Sequence, residues 1–319
     1  MKWKSLFIYS LLLSLWSCTD STKKPEEAVS NEPNKQTQAL LLTQDFAYDP
    51  ADKNKVTSDY VAQSQIEVPS DLATQSKWIM FEGPVLENDL IAYRYYADSR
   101  HRFDIYGKTV PDLVMDTVSW QYHDIMDWGS DILKVGNSLG LGSPAIWYQD
   151  SLYTLSDCAR KTIEITENGD QRSAIRTTFY QLNIAGETFD LIQDWSIETG
   201  QAWSEIHLQL IDGELPEGMS FATGIVKHLP TISTGNTDEY FYAFIWGKLS
   251  FHVEIIGMAI TAKRTTQPVA VEDELSHAYA FQNAKQAVRY RFLSAWERDN
   301  NGVSDTAGFR QLVEQAASN

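Results

Sequence analysis

From about residue 77 onward, hydrophobic and polar positions alternate in short runs. FDIYGKTV (103–110), TIEIT (162–166), AIRTTFYQLNI (174–184), FDLIQDWSIE (189–198), SEIHLQLID (204–212), YFYAFIWGKLS (240–250) and HVEIIGMAITA (252–262) all read as strands. Such alternation sends successive side chains to opposite faces, and the runs are rich in the β-branched and aromatic residues that suit a pleated surface. Turn chemistry separates them: Glu167-Asn168-Gly169-Asp170, Asp212-Gly213 and Gly235-Asn236. Many short strands at regular spacing, with no βαβ rhythm, predict a mainly β fold, a large antiparallel β-sandwich. C-terminal helices are expected to follow. Residues 280–299 carry Ala284, Val288, Phe292, Ala295 and Trp296 at helical spacing, and residues 304–318 form a second helix with Ser304 as its N-cap.

One strand carries unusual chemistry. In FEGPVLENDLIAYRYYADSR (81–100), Ala92, Arg94, Tyr96 and Asp98 share one face, and Ile91, Tyr93 and Tyr95 share the other. An arginine and a tyrosine on an inward face either line a site or belong to a buried network in which Asp98 or Glu87 pairs with Arg94.

The N-terminus follows different rules. Lys2 and Lys4 precede an apolar run of eleven residues, 6–16, too short to span a bilayer and suited to a signal sequence. It ends in Leu15-Trp16-Ser17-Cys18, which resembles a bacterial lipoprotein box, although Trp16 stands where a small residue is usual. Residues 1–18 are therefore expected to form a lipoprotein signal ending at a lipidated Cys18, and 44–319 the catalytic β-sandwich. The polar stretch between them, residues 19–43, reads as a disordered tether. The chain would then sit in the cell envelope, anchored by lipid. Lipidation leaves Cys158 as the one other cysteine, which excludes an intramolecular disulfide or a cysteine metal site, and Cys158 is expected to be a small buried residue.

Charge narrows the partners. With 26 basic and 43 acidic residues the net charge is −17, and without residues 1–17 it is −19. Nucleic acid is not a partner for so acidic a surface, and an anionic substrate needs a local basic site. No HxxxH, HExxH or EF-hand spacing points to a metal, and no cofactor motif is present. The glycines of Gly136-Asn137-Ser138-Leu139-Gly140-Leu141-Gly142 lack the Walker lysine and the GxGxxG spacing, so they read as a loop needing positive φ. The absence of GxSxG removes support for a nucleophile-elbow hydrolase.

What remains is a set of basic and aromatic residues. YHDIMDWGSDILK (122–134) holds His123, Trp128 and Lys134, and SFATGIVKHLP (220–230) ends a strand at Lys227 and His228 before a proline turn. His207 lies on a polar face with Trp203, Glu205 and Gln209, which fits a sugar-binding face or a solvated one. His101, His252 and His277 have unremarkable surroundings.

Taken in order, EGPVLENDLIAYRYYADSR, DIYGK, YHDIMDWGSDILKVGNSLGLG and FATGIVKH resemble a family of Bacteroidetes lipoproteins from polysaccharide-degrading loci, classed as a domain of unknown function. The similarity runs from Trp78 to the C-terminus. It implies a galactose-mutarotase-like β-sandwich, and one branch is similar to the ulvan oligosaccharide dehydratase. On that resemblance the expected activity is removal of the C5 proton and C4 hydroxyl from a non-reducing-end uronate. The expected partner is a uronic-acid oligosaccharide, free or sulfated, and no protein partner is inferred. Such a reaction needs a clamp for the carboxylate, a base at C5 and an acid at the leaving oxygen. Arg94 is the expected clamp, with Tyr96 beside it. His123 and His228 are the acid and base in unassigned order, and Trp128, Lys134, Lys227 and Arg102 are expected to bind substrate. A polysaccharide lyase, a mutarotase or epimerase, and a non-catalytic glycan-binding lipoprotein are the alternatives.

Overall fold

A computed structural model describes residues 35–318. The signal, Cys18 and most of the tether lie outside the described residues. The fold is mainly β and antiparallel throughout its sheets. A nine-stranded sheet runs in the order Ser233–Asn236, Tyr240–Lys248, Ile255–Lys263, Ala287–Trp296, Trp203–Leu210, Glu187–Glu198, Arg172–Ile184, Cys158–Asn168 and Gln65–Glu67. Its alternation is clean where one face meets water. Along Glu187–Glu198, Leu191, Gln193, Trp195 and Ile197 are buried while the residues between them are partly exposed.

Two five-stranded sheets cover the inner face. One comprises Thr37–Leu40, Val85–Asn88, Ile91–Tyr95, Phe103–Lys108 and Gly129–Asp131; the other comprises Ser151–Thr154, Ala145–Tyr148, Ser220–Val226, Ser276–Phe281 and Pro268–Val271. A single core of Leu86, Tyr93, Phe103, Ile105, Ile146, Trp195, Ile206, Phe221, Phe281 and Phe292 unites these three larger sheets. The first five-stranded sheet is buried on both faces. Ile91, Tyr93 and Tyr95 enter the main core, while Val85, Ala92 and Tyr106 pack on the other side under Met80, Phe81, Met115 and Tyr122.

Three sequence expectations change here. Residues 280–299 are not a helix: Ala287–Trp296 is a central strand. Val288, Tyr290, Phe292 and Trp296 face the main core, whereas Leu293 and Ala295 face a second cluster under the C-terminal helix. Burial of both faces erased the alternation and left apolar spacings that mimic a helix. Among the described residues the one α-helix is Thr306–Ala316, capped by Asp305, whose side chain accepts from Gly308 N, and not by Ser304. The expected tether also stops short of residue 43. Thr37–Leu40 is a sheet strand whose polar residues are buried because they are paired, Thr37 Oγ1 lying 2.9 Å from Ser173 Oγ and Gln38 bonding Glu87.

Candidate active site

The site is built along one segment, residues 129–142. It begins as the edge strand Gly129–Asp131 and ends by threading between the two five-stranded sheets. Phe103 bridges Gly140, Leu141 bridges Ile225, and Val226 N donates to Gly140 O at 2.7 Å. A Cβ at Gly140 would lie 2.3 Å from Phe103 O, and one at Gly142 would lie 2.5 Å from the Phe292 side chain. Both have positive φ, so glycine is required for the close approach as well as for the turn. The loop is a seam between sheets.

The first lobe surrounds Arg94. Strand register sets Arg94 opposite Asp104 and Tyr106 opposite Asp131, and alternation turns all four outward from the main core. Arg94 is only 1% exposed. Its Nη2 binds Asp104, Asp131 Oδ2 at 3.0 Å and Tyr96 Oη at 2.7 Å; its Nη1 donates to Phe81 O and Tyr122 Oη. Both terminal nitrogens of the guanidinium are taken up within the protein and its Nε, which has no partner among the described residues, is buried, so the clamp role expected of Arg94 is corrected to one within the protein. The expected pairing with Asp98 or Glu87 is corrected too: Asp98 holds Arg100, and Glu87 holds Lys108. Tyr96 lies between two cations, with guanidinium carbons 4.3 Å (Arg94) and 3.6 Å (Arg100) from its ring centre, and its hydroxyl donates to Asp104. Burial raises its pKa, so Tyr96 stays protonated and does not titrate near neutrality.

This lobe has an excess of negative charge. Glu82, Asp98, Asp104 and Asp131 surround Arg94 and Arg100. Burial, then the neighbouring Asp131, pushes Asp104 up to about 6 despite Arg94. His123 closes the network from outside. Its Nδ1 lies 3.2 Å from Asp131 Oδ2 while 58% of its side chain is exposed. The carboxylate can only accept, so Nδ1 carries the proton and Nε2 is left toward solvent. The hydrogen bond to Asp131 raises the His123 pKa against partial burial.

The second lobe lies farther along the same segment. Arg102 Nη1 donates to Gly136 O at 2.6 Å, His228 is hydrogen-bonded to the Lys134 backbone, and Lys134 itself is exposed. Arg102 Nε and His228 Nε2 are buried with no hydrogen-bond partner among the described residues. Burial lowers the His228 pKa against the hydrogen bond to the Lys134 backbone, with a smaller lowering from the Lys134 ammonium; burial, then Arg100, lowers that of Arg102. Cationic donors collect here, and among the described residues no carboxylate forms an ion pair with Arg102. Asp131 and Lys134, the anchors of the two histidines, are three residues apart, at most about 10 Å of chain.

Between the lobes stands a loop that the sequence did not single out. Phe251 N donates to Ile132 O at 2.7 Å, His252 Nε2 lies 2.9 Å from Ser130 Oγ, and the Phe251 ring is 6.2 Å from that of His123. Phe251 is 53% exposed, and Ile125 and Met126 also present apolar surface. His252, read from the sequence as unremarkable, therefore belongs to the site. Trp128 does not serve as the platform expected of it: it is half-buried, with its ring packed on Tyr106. Lys227 turns away, donating to Asp273 O on another loop. His207, on the open face of the nine-stranded sheet, is bound by Arg289 and takes no part. Cys158 is half-buried where full burial was expected.

A family model described as a domain of unknown function, DUF4861, matches residues 20–319. The chain belongs to the DUF4861 family. No curated protein sequence matches it. Among solved structures it is similar to a putative aldose 1-epimerase from Klebsiella pneumoniae, at 9% identity over 88% of this chain and 95% of that one, with a TM-score of 0.39. An α-mannosidase from Enterococcus faecalis shows 8% identity over 88% of this chain and 45% of its own, TM-score 0.40. An α-N-acetylgalactosaminidase from Bifidobacterium bifidum shows 13% identity over 64% of this chain and 35% of its own, TM-score 0.28. Likeness at this level assigns no residue, so the roles in this DUF4861 chain are argued from its own geometry.

Proposed function

We propose that the chain is a carbohydrate-active lyase that dehydrates the non-reducing-end uronate of ulvan-type oligosaccharides. The observation that carries the reading is the pair of histidines held against one short segment, His123 at Asp131 and His228 at Lys134, and displaced in opposite directions, His123 upward by Asp131 and His228 downward by burial. Two titratable groups pushed apart divide the work of acid and base. His228, neutral, takes the C5 proton. The C5–H electrons form the C4–C5 double bond, the C4–O bond breaks, and His123, protonated, delivers its proton to the departing hydroxyl, which leaves as water. Arg102 and Lys134 neutralise the carboxylate, so that charge developing at C5 is tolerated. Phe251 stacks against the sugar. Arg94 is a positioning residue that fixes Asp131, and through it the His123 ring. We further propose, from the pattern at residues 6–18, export to the envelope with a lipid on Cys18; loss of labelled-lipid incorporation in Cys18→Ser is the expected result.

The test is ultraviolet absorbance of the unsaturated uronate, followed together with chain length, on saturated ulvan oligosaccharides. Rising absorbance at constant chain length, abolished by His228→Ala, is the expected result. Rising absorbance with shortening chains would make the leaving group a sugar, and a flat trace on uronate oligosaccharides would sink the reading.

A further inference from the structure

The strand Ile91–Tyr95 and the turn after it feed two buried cations. Arg94 is one. The other is Lys161, on the strand Cys158–Asn168, reached from the opposite face through Tyr95 and His101. Lys161 is buried, and its Nζ bonds only neutral groups, Ala97 O and His101 Nε2 at 3.3 Å. His101 Nδ1 continues to Tyr95 Oη at 3.0 Å. No carboxylate lies within 4.0 Å of the amine among the described residues, because Asp98, the acid of that turn, is chelated by Arg100 through Nε and Nη2. A buried ammonium without a counter-charge is costly. Burial lowers the Lys161 pKa to about 8, and burial and Lys161 together hold His101 neutral, well below its ordinary value. His101 also adopts φ 45°, a left-handed conformation uncommon for a non-glycine residue.

These groups border a cavity of about 490 Å³, within the size range of small-molecule sites. Ala97, His101, Cys158 and Lys161 line it, so the residues that meet at the amine also form its wall. The rest of the wall carries hydroxyls from Ser70, Ser99 and Ser156 and three carboxylates, Glu67, Asp71 and Asp98; Arg100 holds Asp98 and Arg160 faces Glu67 at 3.5 Å, which leaves Lys161 as the lining cation with no acidic partner among the described residues. We propose that this cavity binds a small hydroxylated carboxylate, a sugar acid, whose oxyanion pairs with Lys161 and whose hydroxyls meet the serines. The cavity is distinct from the His123–His228 site: none of the residues named in either lobe except Asp98 lines it.

Isothermal titration with glucuronate, with glucose as the uncharged comparison, tests this. Glucuronate is expected to bind and glucose not to. Titration in a Lys134→Ala background, which weakens the uronate contact of the proposed catalytic site, isolates this cavity; there Lys161→Met is expected to weaken glucuronate binding at least about tenfold, the worth of one charge-assisted hydrogen bond. Thermal melting reports whether Lys161→Met folds. Ser99→Trp, at an exposed wall position, fills the cavity without touching the core and is expected to abolish binding. Equal binding by wild type and both cavity variants, binding lost in Lys134→Ala alone, or no glucuronate binding would overturn the proposal. Dehydration of oligosaccharides by Ser99→Trp at the wild-type rate would keep the two sites separate.

Discussion

The two lobes of the candidate site use the same residue type in opposite surroundings. Around His123 the protein supplies surplus carboxylate, and the imidazole is oriented and its proton held. Around His228 burial disfavours the charged ring and the Lys134 ammonium adds a smaller push in the same direction, so the proton is expelled. On the proposed function one histidine would therefore serve as an acid and the other as a base at the same pH, with no change in either side chain. The contrast fits the burial of Arg94: it binds Asp131, and in the proposed mechanism it would act on the ligand only through His123.

Breaking the carboxylate-rich lobe gives the largest expected effect. Arg94→Met leaves Asp104 and Asp131 as buried like charges and should cost about 3–5 kcal/mol of stability, read as a fall in the denaturation midpoint with unchanged slope. Removing the histidines tests the division itself. His123→Ala and His228→Ala should each lower kcat by about 10²–10⁴-fold with little change in thermal midpoint, since one ring is largely exposed and the other half-buried; wild-type turnover in either would refute its role.

Asp131→Asn sharpens the comparison. The reaction requires neutral His228 and protonated His123, so activity should rise as pH passes upward through the lowered His228 pKa and fall as it passes the raised His123 pKa. Weakening the bond from Asp131 should move the alkaline limb to lower pH and leave the acid limb in place, as seen in pH–rate profiles and in imidazole proton shifts. The same sign governs stability. His123 has a raised folded pKa, so its contribution is fully present below its ordinary value near 6.5 and is lost as pH rises through the folded value. Asp104, raised to about 6, likewise contributes below its ordinary value near 4, and that contribution is lost as pH rises to about 6. The smallest expected effect is that of Phe251→Ala, a rise in KM of a few-fold from lost stacking, about 1 kcal/mol, with kcat retained.

Much of this arrangement was legible in the residues, in a particular way. Period-two alternation correctly put Ala92, Arg94 and Tyr96 on one face and grouped Tyr93 with Tyr95. The glycines at 136, 140 and 142 read correctly as positive-φ positions. Partners were harder. The nearest acid in sequence, Asp98, turns back to Arg100 two residues on, a local competition that alternation does not register. The acids that hold Arg94 come from strand register and from an edge strand more than thirty residues away. Phe251 and His252 were missed for the same reason, since their loop meets Ser130 and Ile132 across some 120 residues of chain. The expected helix at 280–299 failed because burial on both faces removes the very pattern from which strand is read.

The seam at Gly140–Gly142 bears on how the site moves. Its backbone is hydrogen-bonded to both five-stranded sheets: Leu141 N donates to Phe103 O at 3.5 Å in the first, and in the second Gly142 N donates to Gly224 O at 2.8 Å and Gly140 O accepts from Val226 N. Those amides exchange with solvent only when the sandwich opens as a whole. The seam that ends the segment of the two proposed acid–base anchors thus belongs to the slowly opening part of the molecule. The loop with Phe251 and Val253, the latter exposed and at φ 63°, belongs to the part that opens first. Hydrogen exchange would therefore separate a rigid catalytic floor from a yielding wall, and substrate entry would proceed by displacement of the wall while the spacing of the two histidines holds.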